Sequence, residues 1–180
     1  MRYVLLLRGI NVGGKNKVSM KDLKMSIGEL GYQNVVTYIN SGNVIFDTDD
    51  NIETVKIKIA EMLKNVFFPI QHVIITREEY LEEVSNLPEW WNETLARKDV
   101  LFMPNHINKS VIIDFINKSE LYNEIVYVGR HAVFWGKYTE SEYLKTTYHK
   151  KLMKQDFYKH ITIRNGKTFE KIAEILEKED

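Results

Sequence analysis

The chain has 180 residues, 44% hydrophobic and 28% charged, enough for one large domain or two small ones and too few for a multi-domain assembly. It contains no cysteine, which excludes disulfides, thiolate metal sites and cysteine nucleophiles together and agrees with a reducing compartment. Lys plus Arg equals Asp plus Glu at 25 each, so no global field draws the protein to nucleic acid or membrane, and any electrostatic attraction is local.

The apolar run Tyr3 to Leu7, ended by Arg8-Gly9, reads as a buried strand. Its core, Val4 to Leu7, is too short for a signal peptide or a spanning helix, so the reading is a cytoplasmic protein with no membrane partner. After the loop Gly9 to Val18, Ser19 is placed to cap a helix carrying Met20, Leu23, Ile27 and Leu30 on one face, with Gly31 as its stop. Val35 to Ile39 and Val44 to Phe46 are β-rich segments flanking the hairpin composition Asn40 to Asn43. Ile52, Val55, Ile59, Met62, Leu63 and Val66 form a helical face ended before Pro69, and His72 to Ile75 is a fourth strand.

The second half repeats that order as a topology, without a residue-level repeat. Val100 to Met103 reads as a strand and Lys109 to Asn117 as a helix; Ile125 to Val128 and Ala132 to Trp135 form a hairpin around Gly129-Arg130-His131. Helical turns are expected from Glu140 to His160, then a short strand at Ile161 to Ile163 and a last helix from Lys167 to Glu177. Between the halves, Arg77 to Lys98 holds a helix and a connector with Pro88, Trp90 and Trp91. The expected fold is α+β: two ferredoxin-like units (β-α-β-β-α-β) with antiparallel sheets, plus a C-terminal helix. The expected division is residues 1–86, a connector at 87–97, and residues 98–180.

In a split β-α-β arrangement the first two strands end at the same sheet edge, which makes the Gly9 to Val18 loop and the Asn40 to Asn43 hairpin neighbours. Gly9 to Asn16 has the glycine and lysine spacing of a phosphate-binding P-loop, but Asn16 stands where the magnesium-binding hydroxyl belongs, and the helix begins only at Ser19. A weaker anion-binding reading survives that failure. Gly13 and Gly14 permit exposed backbone amides, Arg8 and Lys15 supply charge, and Asn11, Asn40, Ser41 and Asn43 supply amide and hydroxyl groups. Neither segment carries His, Asp or Glu, so a general base is missing there. The five histidines show no ligand spacing, so no metal site is expected. His106 and His131 fall on neighbouring loops of the second unit, where surface placement is the plainer reading.

Three stretches resemble the bacterial domain of unknown function 1697 family: Leu6 to Gly14, Thr37 to Phe46, and Thr162-Ile163-Arg164-Asn165 with Thr168. The resemblance implies a duplicated ferredoxin-like fold in a bacterial cytoplasmic protein, and it implies no reaction and no cofactor. Arg164 and Asn165 join the candidate ligand-binding residues on this ground, beside a plain reading of Asn165 as a helix cap.

The leading functional expectation is therefore a small anionic ligand, a nucleotide or phosphorylated metabolite, at the first unit's glycine-rich edge. A rival is nucleic-acid binding by Tyr143 to Lys167, where seven basic residues face one acid and Tyr143, Tyr148, Phe157 and Tyr158 are interleaved. A third is a protein adaptor using Trp90-Trp91.

Overall fold

The computed structural model describes residues 1–104 and 106–178. It divides into two units, Met1–Glu79 and Tyr80–Asp180.

In the first unit, β1 (Arg2–Leu7), β2 (Gln33–Tyr38), β3 (Asn43–Asp47) and β4 (His72–Thr76) form one sheet in the order β2-β3-β1-β4, with every pairing antiparallel. This is the order that a split β-α-β arrangement requires. Helices α1 (Met20–Glu29) and α2 (Ile52–Val66) cover one face, where Leu23, Ile27, Val55, Ile59 and Leu63 meet Tyr3, Leu5, Leu7, Val44 and Phe46. Alternate residues of β1 thus face the helices, as the period of a strand dictates. Both helices begin on side-chain caps: Ser19 accepts from Asp22 N–H at 3.3 Å and Asn51 from Thr54 N–H at 3.0 Å.

Two local expectations needed correction. The β-branched Ile39 looks like strand, yet β2 stops at Tyr38 and Ile39 sits in the turn with φ 47°. The second strand also starts earlier, at Gln33, through a register shift in which Asn34 takes φ 51°. A bulge of this kind bends the exposed β2 and blunts an edge that would otherwise pair with another chain.

His72 opens β4, half-buried, with Nδ1 2.8 Å from the Ile70 carbonyl. Burial holds its pKa below the ordinary 6.5. A base with a depressed folded pKa resists a proton that the unfolded chain accepts, so stability falls as pH drops through 6.5 toward the folded value. The thermal midpoint should decline between pH 7 and 5, and His72→Gln should flatten that part of the profile. An unchanged slope in the variant would exclude His72 as its cause.

Helix α3 (Arg77–Ser85) crosses the boundary into the second unit, where a 3-10 turn at Glu89–Asn92 precedes a sheet of β5 (Arg97–Phe102), β6 (Glu124–Val128), β7 (Ala132–Lys137) and β8 (Thr162–Asn165). Its order, β6-β7-β5-β8, and its antiparallel pairings repeat those of the first unit. Helix α4 (Ser110–Asn117) places Ile112 with Leu101, Val133 and Trp135 on one face, together with Tyr148 and Leu152. Those last two come from a run of 3-10 turns around the short α5 (Thr147–Lys150). On the other face α6 (Gly166–Glu177) brings Phe169 against Tyr80, Trp91, Phe102 and Phe134. The architecture is α+β with two four-stranded antiparallel sheets and a C-terminal helix. No helix among the described residues is long and apolar enough to cross a membrane.

Candidate functional site

At the first unit's edge, the loop after β1 folds as a miniature hairpin. Asn11 N–H donates to Asn16 C=O at 3.0 Å, Lys15 N–H to Val12 C=O at 3.1 Å, and Gly13 and Gly14 turn the corner at φ 57° and 75°. Two successive left-handed residues make this the mirror-image turn that glycines favour. The loop therefore cannot be a P-loop, because its amides diverge around a hairpin and the helix cap waits until Ser19.

The Asn11 side chain binds the edge together. Its amide donates to the carbonyls of Val18 and Asn40, each at 2.9 Å, while its oxygen accepts Val18 N–H at 2.9 Å. The β2–β3 turn is tied in the same manner by Asn43, which is buried and donates to Tyr38 C=O at 2.9 Å and Ser41 Oγ at 3.0 Å. Gly42 is required by space, since a Cβ there would come within 2.7 Å of Leu7 Cβ. The sequence marked Asn11 and Asn43 as ligand donors; here their polar atoms build the scaffold. Gly13, Gly14, Lys15 and Asn40 are exposed on it, and Arg8 and Ser41 are half-buried.

Ten described residues have positive φ, and seven of them belong to this edge: Gly9, Asn11, Gly13, Gly14, Asn16, Ile39 and Gly42. Left-handed backbone costs energy outside glycine, most for a β-branched residue such as Ile39. Such strain collects where a fixed, unusual backbone is part of function. Among titratable side chains, residues 8–18 and 39–43 supply only cations, Arg8, Lys15 and Lys17.

The corresponding edge of the second unit carries its own carboxylate. Glu83 of α3 is buried and accepts His131 N–H, and a Cβ on Gly129 would collide with its other oxygen. Lys109 donates to the carbonyls of Gly129 and Arg130 at the same tip. His131 Nε2 lies 3.0 Å from Glu82, whereas the His106 ring packs edge-on against His160. The observed partners of the two histidines give no catalytic pair.

Arg164 and Asn165 lie on β8 of the second unit, on opposite faces of the strand. Arg164 is buried, donates to Ile163 C=O at 2.8 Å, and is pushed down to about 10 by that burial. Asn165 caps α6, accepting Thr168 N–H at 2.8 Å. It also lines a groove of about 620 Å³ with Lys98, Asp99, Gly166, Lys167 and Glu170. Behind Asp99, the wholly buried Lys137 ammonium bonds the same carboxylate and lies 3.4 Å from the centre of the Tyr148 ring. Burial lowers the affinity of Lys137 for its proton, and Asp99 opposes that shift. This pair escaped the sequence reading because a lysine at a strand end reads as solvent-facing.

In the stretch Tyr143 to Lys167, Lys145, Lys150, Lys151, Lys154, Lys159 and Lys167 are exposed while the four aromatics pack on the core. Trp90 and Trp91 are both buried. No cluster of three or more potential metal ligands occurs among the described residues.

Over 98% of its length the chain matches the solved structure of the conserved bacterial protein SP0830 from Streptococcus pneumoniae, with 44% identity, 98% coverage of that chain and a TM-score of 0.92. No curated protein matches it. Residues 1–134 match the family described as protein of unknown function DUF1697. That match holds the whole first unit and the second unit through the first half of β7, including the glycine-rich loop and its Asn11 tie, and it places the chain in the DUF1697 family.

Proposed function

We propose that the chain binds a small anionic molecule at the first unit's edge, between the Gly9 to Val18 loop and the Ile39 to Gly42 turn. The concentration of left-handed backbone there carries the reading: seven strained or glycine positions are held in one place by Asn11 and Asn43. Rigid, exposed Gly13 and Gly14 offer amides without a reorganisation cost, and the nearby side-chain charge is positive. Lys15 neutralises the ligand, Arg8 offers a two-pronged donor, and Asn40 and Ser41 orient it. Nucleic-acid binding through residues 143–167 is less favoured, because the aromatics that would stack on bases are packed inward.

The test is a thermal-shift series on the full chain with inorganic phosphate, nucleotides, sugar phosphates and short oligonucleotides at low and physiological salt. A ligand at about 100 times Kd adds about 2.7 kcal/mol, worth about 5–10 °C for a chain of this size. The expected result is a salt-tolerant shift with one small anion that disappears in Lys15→Ala. Asn11→Ala should also destabilise the unliganded chain by about 2–3 kcal/mol for its three hydrogen bonds, and so lower its midpoint. A shift confined to oligonucleotides and erased by salt would move the function to the basic stretch, and a shift indifferent to Lys15 would refute this site.

A further inference from the structure

The groove beside β5 and α6 holds charges that the fold positions without neutralising. Trp91 holds one of each sign through neutral groups: its carbonyl accepts the Lys98 ammonium, and its indole Nε1–H donates to Glu170 at 2.9 Å. Lys98 and Glu170 form no ion pair with each other. Lys167 and Glu93, also on the groove wall, make no ion pair among the described residues. Asp99 and Arg97, which also line the groove, are different, because Lys137 and Glu140 already answer their charges. The wall therefore offers two cations and two anions in a space of about 620 Å³, within the usual range for small-molecule sites.

The arrangement is built. A Cβ on Gly166 would lie 3.2 Å from Lys98 Cβ and 3.3 Å from Trp91 Cζ2, so glycine lets the tryptophan and the lysine stem close on the start of α6. Trp91 is itself fixed edge-on against Phe134 and Phe169. Opposite charges held apart on rigid supports suit a ligand that carries both signs, and they disfavour one that carries either alone, since the unmatched wall charge repels it.

We infer that this groove is a second ligand site, taking a zwitterionic small molecule of amino-acid or dipeptide size, with its carboxylate toward Lys98 and Lys167 and its ammonium toward Glu170 and Glu93. It is independent of the anion site of the first unit.

The experiment is calorimetry and thermal shift on the full chain with glycylglycine and free L-amino acids, against N-acetylglycine and glycinamide at equal ionic strength. A zwitterion should bind, and each half-charged analogue should bind at least tenfold more weakly. Glu170→Gln keeps an acceptor for the Trp91 indole, so it preserves the fold while weakening the zwitterion tenfold or more; Lys167→Ala, on an exposed side chain, should act in the same direction. Inorganic phosphate binding at the first unit should be unchanged in both variants. Equal binding of N-acetylglycine, no binding of any zwitterion at 100-fold excess over the protein, or indifference to both variants would overturn the assignment.

Discussion

Asp99→Ala should destabilise the protein by about 3–5 kcal/mol, because it strands a wholly buried ammonium. In the native chain Lys137 has three compensations: the Asp99 carboxylate, the face of Tyr148 at 3.4 Å, and the more distant charge of Glu124. Removing Asp99 deletes the largest attraction and leaves the burial cost in place. The deficit should also depend on pH. Without Asp99 the folded pKa of Lys137 drops further below 10.5, so the unfolded chain holds a proton that the folded one resists, and stability rises with pH across that window. Urea unfolding at pH 7 and pH 9.5 checks both statements: the variant should lie far below wild type at pH 7 and recover part of the gap at pH 9.5. Lys137→Met with Asp99→Asn removes both charges together, and it should return to within about 1–2 kcal/mol of wild type. A mild, pH-independent loss in Asp99→Ala would mean that Lys137 is solvated through the groove.

The elements were legible where local chemistry is decisive. Ser19 and Gly31 mark helix ends through hydrogen bonds or backbone freedom that depend on a few neighbouring residues, and each acts as the sequence implies. The repeated strand order was legible too, since short apolar runs alternating with amphipathic ones leave few arrangements. Ile39 misled because propensity describes a residue type, whereas its conformation is imposed by closing a four-residue turn between Tyr38 and Asn43.

The candidate site was legible as a place and less so as a set of roles. Asn11, Asn40 and Asn43 stood out as polar residues at one edge, but an asparagine that serves the backbone cannot be told in sequence from one that serves a ligand. Three hydrogen bonds assign Asn11 to the scaffold. The groove had no local signature at all. It depends on Trp91 meeting Glu170 across 79 positions of the chain and on Gly166 giving room to Lys98, contacts that only the folded sheet creates.

Glu124→Ala should cost about 3–5 kcal/mol and unfold a defined segment. The buried carboxylate receives four N–H groups: Trp135 Nε1 at 2.7 Å, Tyr148 N at 3.2 Å, Tyr122 N at 3.2 Å, and Thr147 N. Hydrogen bonds to a charged group contribute about 1.5–3 kcal/mol each, and the set is not additive, so the total lies below their sum. Two of the donors open α5, whose four residues cannot sustain a helix without tertiary support. The loss should therefore concentrate in the turns from Glu140 to His160, while β5 to β8 stay paired. Hydrogen exchange reads this directly: amides of residues 146–152 should lose protection and those of β5 and β7 should keep it. Uniform loss across the second unit would show instead that the turns and the sheet unfold as one. The same variant separates two functional readings. Tyr148 is buried and Phe157 half-buried in this packing, so release of the segment frees aromatic rings among exposed lysines and should raise oligonucleotide affinity. If native binding already used the stretch, the variant would weaken it, because the ordered lysine array would be gone.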